Sequence, residues 1–167
     1  YTFFMPGELI NHTLLGNLRV ESFAAQTPQG ELYRAWDLHQ NRHVGVTLLG
    51  PEAENPETFK QLQALAAPLQ KLTHANLLPF YGLAQDARAT CLLEGWIDGP
   101  CLRDVLLSQP GQPFAVQEAL VYAKAICAVL GYLHSQGYIH AGLCPERIHI
   151  DDRGRVRLSG VGDCQRS

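Results

Sequence analysis

Leu133-His134-Ser135-Gln136-Gly137-Tyr138-Ile139-His140, running without a break into Ala141-Gly142-Leu143-Cys144-Pro145-Glu146-Arg147-Ile148-His149-Ile150, is the stretch that decides the fold. Its first residues close the longest helical pattern in the chain. From Val116 to His134, the residues Ala119, Leu120, Ala123, Ile126, Cys127, Leu130 and Leu133 fall on one broad apolar face. Gly137 is placed to end that helix, because glycine accepts the left-handed backbone that terminates helices. At the other end, Ile148 to Ile150 and Val156 to Ser159 read as two short strands. They flank Asp151-Asp152-Arg153-Gly154, whose side chains suit a tight turn.

Working back toward the N-terminus, Gly99-Pro100 marks a change of pattern, followed by a short helix over Leu102 to Leu107 and a loop at Gln109-Pro110-Gly111-Gln112-Pro113. Upstream lie five strand candidates. Leu18 to Phe23 approaches alternation and leads into the turn cluster Ala25 to Gly30. Glu31 to Asp37 and His43 to Leu49 follow, then Leu77 to Leu83 and Thr90 to Glu94. One helix is inserted among them, starting at Asn55-Pro56 as cap and first turn. Leu62, Leu65, Leu69 and Leu72 form its apolar stripe, with Pro68 expected to kink or interrupt it. Residues 1–13 show no period and read as an N-terminal extension. The order is five antiparallel strands with one helix, then helices with a small hairpin: an α+β, two-lobed layout.

The composition narrows the classes further. Of 167 residues, 46% are apolar and 17% charged, with a formal charge of −3. Apolar content of that size supports a folded core, and the acidic balance argues against a nucleic-acid partner. The 13 basic residues divide unevenly, with only Lys60, Lys71 and Lys124 as lysines. Five cysteines, Cys91, Cys101, Cys127, Cys144 and Cys164, are scattered and odd in number, so free thiols in a reducing compartment are expected. No apolar run reaches the roughly 18 residues of a membrane span. The first residues lack the basic start of a signal peptide, and the chain begins with Tyr, as a piece of a longer protein would.

Several segments in this order resemble protein kinases, the bacterial-type Ser/Thr kinases in particular. Tyr33-Arg34-Ala35-Trp36-Asp37 is similar to their second strand, and His74-Ala75-Asn76-Leu77-Leu78 to the H-P-N-I-V that follows the regulatory helix. Leu92 to Gly99 resembles the gatekeeper and interlobe hinge. His140 to Ile150 resembles the catalytic loop, its register set by His140, Leu143, Pro145-Glu146 and Ile148. The resemblance covers residues 14–167. It implies an N-lobe over 14–93, a hinge over 94–100 and a partial C-lobe over 101–167, without activation segment or later helices.

Phosphoryl transfer rests on positioning and charge neutralisation, so the positions implied by the resemblance can be read one by one. The glycine loop falls on Ala25 to Gly30, where only Gly30 remains and Pro28 removes a backbone donor. The phosphate-binding Lys falls on Thr47 and its Glu partner on Leu65. The proton-accepting Asp falls on Gly142; a positioned base is worth about 10²–10⁴ in rate, and glycine offers none. The following Lys falls on Cys144 and the metal-binding Asn on Arg147. The D-F-G triplet falls on Gly160-Val161-Gly162. Beneath the adenine, where an aliphatic side chain is usual, stands His149. With Leu93 beside the hinge, Gly30, Thr47, Arg147 and His149 outline the degenerate cleft.

The resemblance thus implies a pseudokinase: not an enzyme, with no cofactor or metal and no binding of Mg-ATP. Its expected role is a scaffold or regulatory module with protein partners, in the cytoplasm or the cytoplasmic portion of a larger protein, any membrane attachment lying outside this chain. The alternative is a metal-independent sensor of a nucleotide or small anion through Thr47 and Arg147. Relocated chemistry would need another acid near the cleft, and only Glu94 and Asp163 come near. His140 is expected as a hydrogen-bonded core residue, or with Cys144 as a nucleophile pair. His39 and His43 belong to a solvated turn or, by spacing, to a metal site. Arg147 either pairs with Glu146 or Asp163 or holds an anion.

Overall fold

The computed structural model describes residues 9–167; the first eight residues of the expected N-terminal extension lie outside the described residues. The chain divides into two compact units, the first running to Lys71 and including Phe80–Trp96, the second comprising Leu72–Pro79 and Ile97–Ser167.

The first unit is built on one antiparallel sheet. Its strands are β1 (Thr13–Leu14), β2 (Leu18–Thr27), β3 (Gly30–Asp37), β4 (Arg42–Leu49), β5 (Phe80–Gln85) and β6 (Thr90–Gly95), in the order β1-β2-β3-β4-β6-β5. That is one strand more than the five expected. Leu15 and Gly16 take positive φ, and the turn folds Thr13–Leu14 back onto β2. Asp86 holds it there by accepting from the Leu15 N–H at 2.7 Å. Alternate residues of the strands point inward, so Leu14, Leu18, Val20, Tyr33, Ala35, Val44, Val46 and Cys91 form the core, joined by Leu9 and Ala89. Leu9 therefore packs into the domain, although it falls in the stretch read as an extension.

The helix α1 (Pro56–Leu69) starts as expected, the Asn55 side chain accepting from the N–H groups of Glu57 and Thr58. Pro68, expected to kink or interrupt it, sits in the last turn, and the helix ends one residue later. The apolar stripe differs from the expected one: Ala66 and Leu69 are buried, whereas Leu65 is 67% exposed. Spacings of three and four left both choices open, and packing took Ala66.

The second unit carries α2 (Leu102–Ser108), α3 (Val116–Ser135), β7 (Tyr138–His140), β8 (Ile148–Ile150), β9 (Val156–Leu158) and β10 (Cys164–Arg166). β8 and β9 form the expected hairpin, and β10 pairs with β7. The strand expected to begin at Leu77 begins at Phe80. Leu77 and Leu78 are held instead by β9, with Leu78 N–H donating to Leu158 O and Leu158 N–H to Asn76 O, each at 2.8 Å. The long helix packs on β7 and β9, but only Val129 and Leu133 of it are buried. Of the broad apolar face expected along it, Leu133 is buried while Leu120 is 50% exposed, and Val116 and Val121 are 73% and 54% exposed. By length and composition α3 would suffice to cross a membrane, against the expectation that no segment does. The result is an α+β chain with the element order of the protein kinase fold.

Candidate functional site

Gly30, Thr47, Leu65 and Leu93 belong to the first unit; Gly142, Cys144, Arg147, His149 and Gly160 belong to the second. In the first, the expected glycine loop is a tight hairpin. β2 runs on through Thr27, which pairs directly with Gly30, leaving Pro28 and Gln29 as the whole turn. Gly30 is needed for packing: its φ is +148°, and a Cβ there would lie 1.8 Å from Leu48 O. The Thr27 hydroxyl donates to Gly30 O at 2.7 Å and fastens the turn. Thr47 is buried on β4 between Leu32 and Leu92, and Leu93 pairs with Val46 and Gly82 on β6. Glu94, one of the two nearby acids, is buried on the same strand.

The second unit gathers its residues more tightly. After β8 and β9, Gly160 adopts a left-handed φ of +82° and turns the chain into a 3-10 turn, Val161–Asp163. A second such turn, Pro145–Arg147, follows Cys144. The two turns bring Arg147 and Asp163 together: Arg147 Nη2 donates to Asp163 Oδ2 at 2.8 Å, their side chains only 8% and 6% exposed. Of the two partners weighed for Arg147, Asp163 is the one found, while Glu146 pairs with Arg103.

This ion pair fills the space that the glycines leave. A Cβ at Gly142 would stand 2.6 Å from Asp163 Oδ2, and one at Gly160 would stand 2.9 Å from both Asp163 Oδ2 and Arg147 Nε. A single carboxylate thus borders both positions where the resemblance expects an acid. Asp163 Oδ1 is buried with no hydrogen-bond partner among the described residues, a condition that costs about 1–3 kcal/mol. The sequence carried a signal for this, since Asp163 is the one acid close behind Gly160. The choice between Asp163 and Glu146 was not legible there, because it depends on the turn at Gly160.

Around the pair several polar groups bond one another, while His140 Nδ1 is buried with no hydrogen-bond partner among the described residues. His140 is buried and donates from Nε2 to Ser159 O at 2.9 Å, as a core histidine does. Ser159 N–H donates to Arg147 O at 2.8 Å, and the Ser159 hydroxyl lies 2.9 Å from His149 Nε2. Burial, aided by the neighbouring Arg147 charge, pushes His149 down to about 4, so its imidazole is neutral at pH 7. Burial and Glu146 raise the Cys144 thiol, and burial with Asp163 pushes Cys164 up to about 12. Protonated thiols are poor nucleophiles, and His140 directs Nε2 at Ser159 O rather than at Cys144. His43 sits against Arg34 and Glu21 rather than with His39, and no group of metal-ligating side chains occurs among the described residues. Asp151 closes its hairpin by accepting from the N–H groups of Arg153 and Arg155.

The family model described as protein tyrosine and serine/threonine kinase matches residues 25–166. The serine/threonine-protein kinase WAG2 of Arabidopsis thaliana is 30% identical over 109 residues, covering 65% of this chain and 23% of that protein. PknL, a serine/threonine-protein kinase of Mycobacterium tuberculosis, is 27% identical over 145 residues, covering 86% of this chain and 36% of its own length. The chain thus spans about a quarter to a third of such relatives. The crystal structure of the Mycobacterium tuberculosis PknI kinase domain superposes with a TM-score of 0.76 at 18% identity, covering 94% of this chain and 64% of that one. These matches overturn the expectation that the chain is no enzyme: the family model is one of kinases, and the relatives are named as kinases. With the element order above and a match over most of its length, the chain belongs to the protein tyrosine and serine/threonine kinase family.

Proposed function

We propose that this segment acts within its kinase-family protein as a regulatory domain, one that engages a protein partner and whose second unit works without a divalent metal. The observation that carries this reading is the Arg147–Asp163 pair. A guanidinium stands where the resemblance puts a metal-ligating amide, and its charge opposes a second cation in the same corner. The Asp163 carboxylate beside it is already engaged. Such a corner is electrostatically complete, and a nucleotide would gain nothing there from Mg²⁺. The exposed apolar side chains of α3 support a role in protein contact, since a surface of that kind marks an interaction site.

The test is a thermal-unfolding series on the longest native form of the protein, with ATP in EDTA and with ATP and Mg²⁺. A ligand at a hundred times its Kd adds about 2.7 kcal/mol of stability, so binding is easily seen. The expected result is a melting temperature indifferent to Mg²⁺ in the presence of ATP. Stabilisation by ATP that requires Mg²⁺ would overturn the metal-free reading. Since the family is one of kinases, transfer of phosphate to a generic protein substrate is measured in the same samples.

A further inference from the structure

The hairpin of β8 and β9 borders an open cleft of about 420 Å³ that involves none of the residues of the Arg147–Asp163 corner. Two other segments of the second unit are fastened to this hairpin. On the β8 side, Ile150 N–H donates to Pro100 O at 3.0 Å, and Gly99 comes so near that a Cβ there would stand 2.3 Å from Ile150 O. On the β9 side, Asn76 Nδ2 donates to Val156 O at 2.8 Å, and the Arg157 guanidinium donates to Ala75 O. Walls held in this way are set before anything enters, which spares a ligand the cost of ordering them. Leu78, Pro79 and Ile97 give the cleft an apolar lining. Its charged groups are not equally available. Arg155 is tied to Asp151 at 2.7 Å, and Arg157 is tied to the Ala75 carbonyl. Asp98 and Asp152 line the same cleft and are exposed. Three carboxylates against two guanidiniums leave an excess of negative charge beside an apolar surface.

We propose that this cleft docks a basic segment of a protein partner. A Lys or Arg side chain of the partner meets Asp98 and Asp152, and a neighbouring apolar side chain packs on Leu78, Pro79 and Ile97. A chain lying across the cleft suits it better than a small molecule does. Small ligands are held with about 70–90% of their surface covered, which an open cleft does not provide, whereas a chain adds contacts on either side. The proposal rests on the partner reading given above, and it adds a surface other than the exposed face of α3 and the chemistry of what binds there.

The probe is a short fluorescent peptide with blocked ends, arginine and leucine alternating among serines. It is titrated in EDTA against the longest native form of the protein and followed by anisotropy. Its counterpart carries glutamate for arginine. The arginine peptide is expected to bind and the glutamate peptide is not. Asp152→Lys, at an exposed position, should weaken binding about tenfold or more, because it turns attraction into repulsion. Glu54→Lys, at an exposed acid of the first unit, should leave the affinity within about twofold. Equal loss in both variants means attraction by overall charge and overturns the cleft. A glutamate peptide that binds as well overturns it in favour of an anion site on the arginines, and spermidine bound as tightly as the peptide in favour of a polyamine site. Loss with Leu120→Ser but not with Asp152→Lys moves the peptide to α3, which overturns the cleft and keeps the partner reading. No binding of the arginine peptide overturns the cleft alone, since the partner reading stands on α3.

Discussion

At the scale of single residues, the chain is defined by substitutions that support one another. Glycine at 142 and at 160 leaves the volume, Asp163 supplies the acid and Arg147 its counter-charge. Putting an acid back by Gly142→Asp is therefore expected to lower stability, since its Cβ meets Asp163 Oδ2 and its charge adds to a carboxylate already buried. We expect a loss of about 2 kcal/mol or more, read as a drop in denaturation midpoint. Combining it with Asp163→Gly should recover most of that loss. Arg147→Gln alone leaves a buried carboxylate without its cation, and a cost of about 3–5 kcal/mol is expected.

His149 gives the corner a pH dependence with a definite sign. Its folded pKa is about 4 and its unfolded value is near 6.5. Between those values the unfolded chain takes up a proton that the folded protein refuses, so stability falls as the pH is lowered from 6.5 to 4. The loss amounts to about 2–3 kcal/mol over that window. Urea unfolding of His149→Leu between pH 4 and 7 should show a flatter profile than the wild type.

At the scale of elements, what could be read in advance and what could not divide along physical lines. The helix α1 was legible at its start because Asn55 and Pro56 are chemically specific. The Asn55 side chain satisfies two N–H groups there, and Asn55→Ala is expected to cost about 1 kcal/mol in thermal unfolding. Its buried face was not legible in the same way, since Leu65 and Ala66 differ by one position and only the packing partner selects between them. β8 and the turn at Asp151 were also legible, being local chemistry. The short β1 was not, because it rests on Leu15 and Gly16 at positive φ and on Asp86, more than seventy residues away in the sequence. The corner around Arg147 falls between these cases. The glycines and Arg147 could be placed there from the catalytic-loop register, whereas the carboxylate that pairs with Arg147 reaches it through the turn at Gly160.

At the scale of the whole molecule, the two units are unequally finished. The sheet unit has a continuous core running from Leu9 to Cys91. The second unit leaves Leu106, Leu107, Val116, Leu120, Val121, Ile139 and Leu143 exposed. The 167-residue chain by itself is therefore expected to bind a hydrophobic dye and to self-associate as its concentration rises. Replacing Val116, Leu120 and Val121 together by Glu should suppress both effects in dye-binding and light-scattering assays. The melting temperature should change little, because none of the three is buried.

The fit of the Arg147–Asp163 pair between two glycines also bears on which neighbouring sequences the chain can reach. A carboxylate at 142 or at 160 collides with the pair while the pair remains, and removing either member of the pair first strands a buried charge. Each single step toward an acidic loop thus passes through a less stable protein, and only a concerted change of two or more positions avoids the barrier. The corner is in that sense a ratchet: readily held once formed, and closed to retreat one residue at a time.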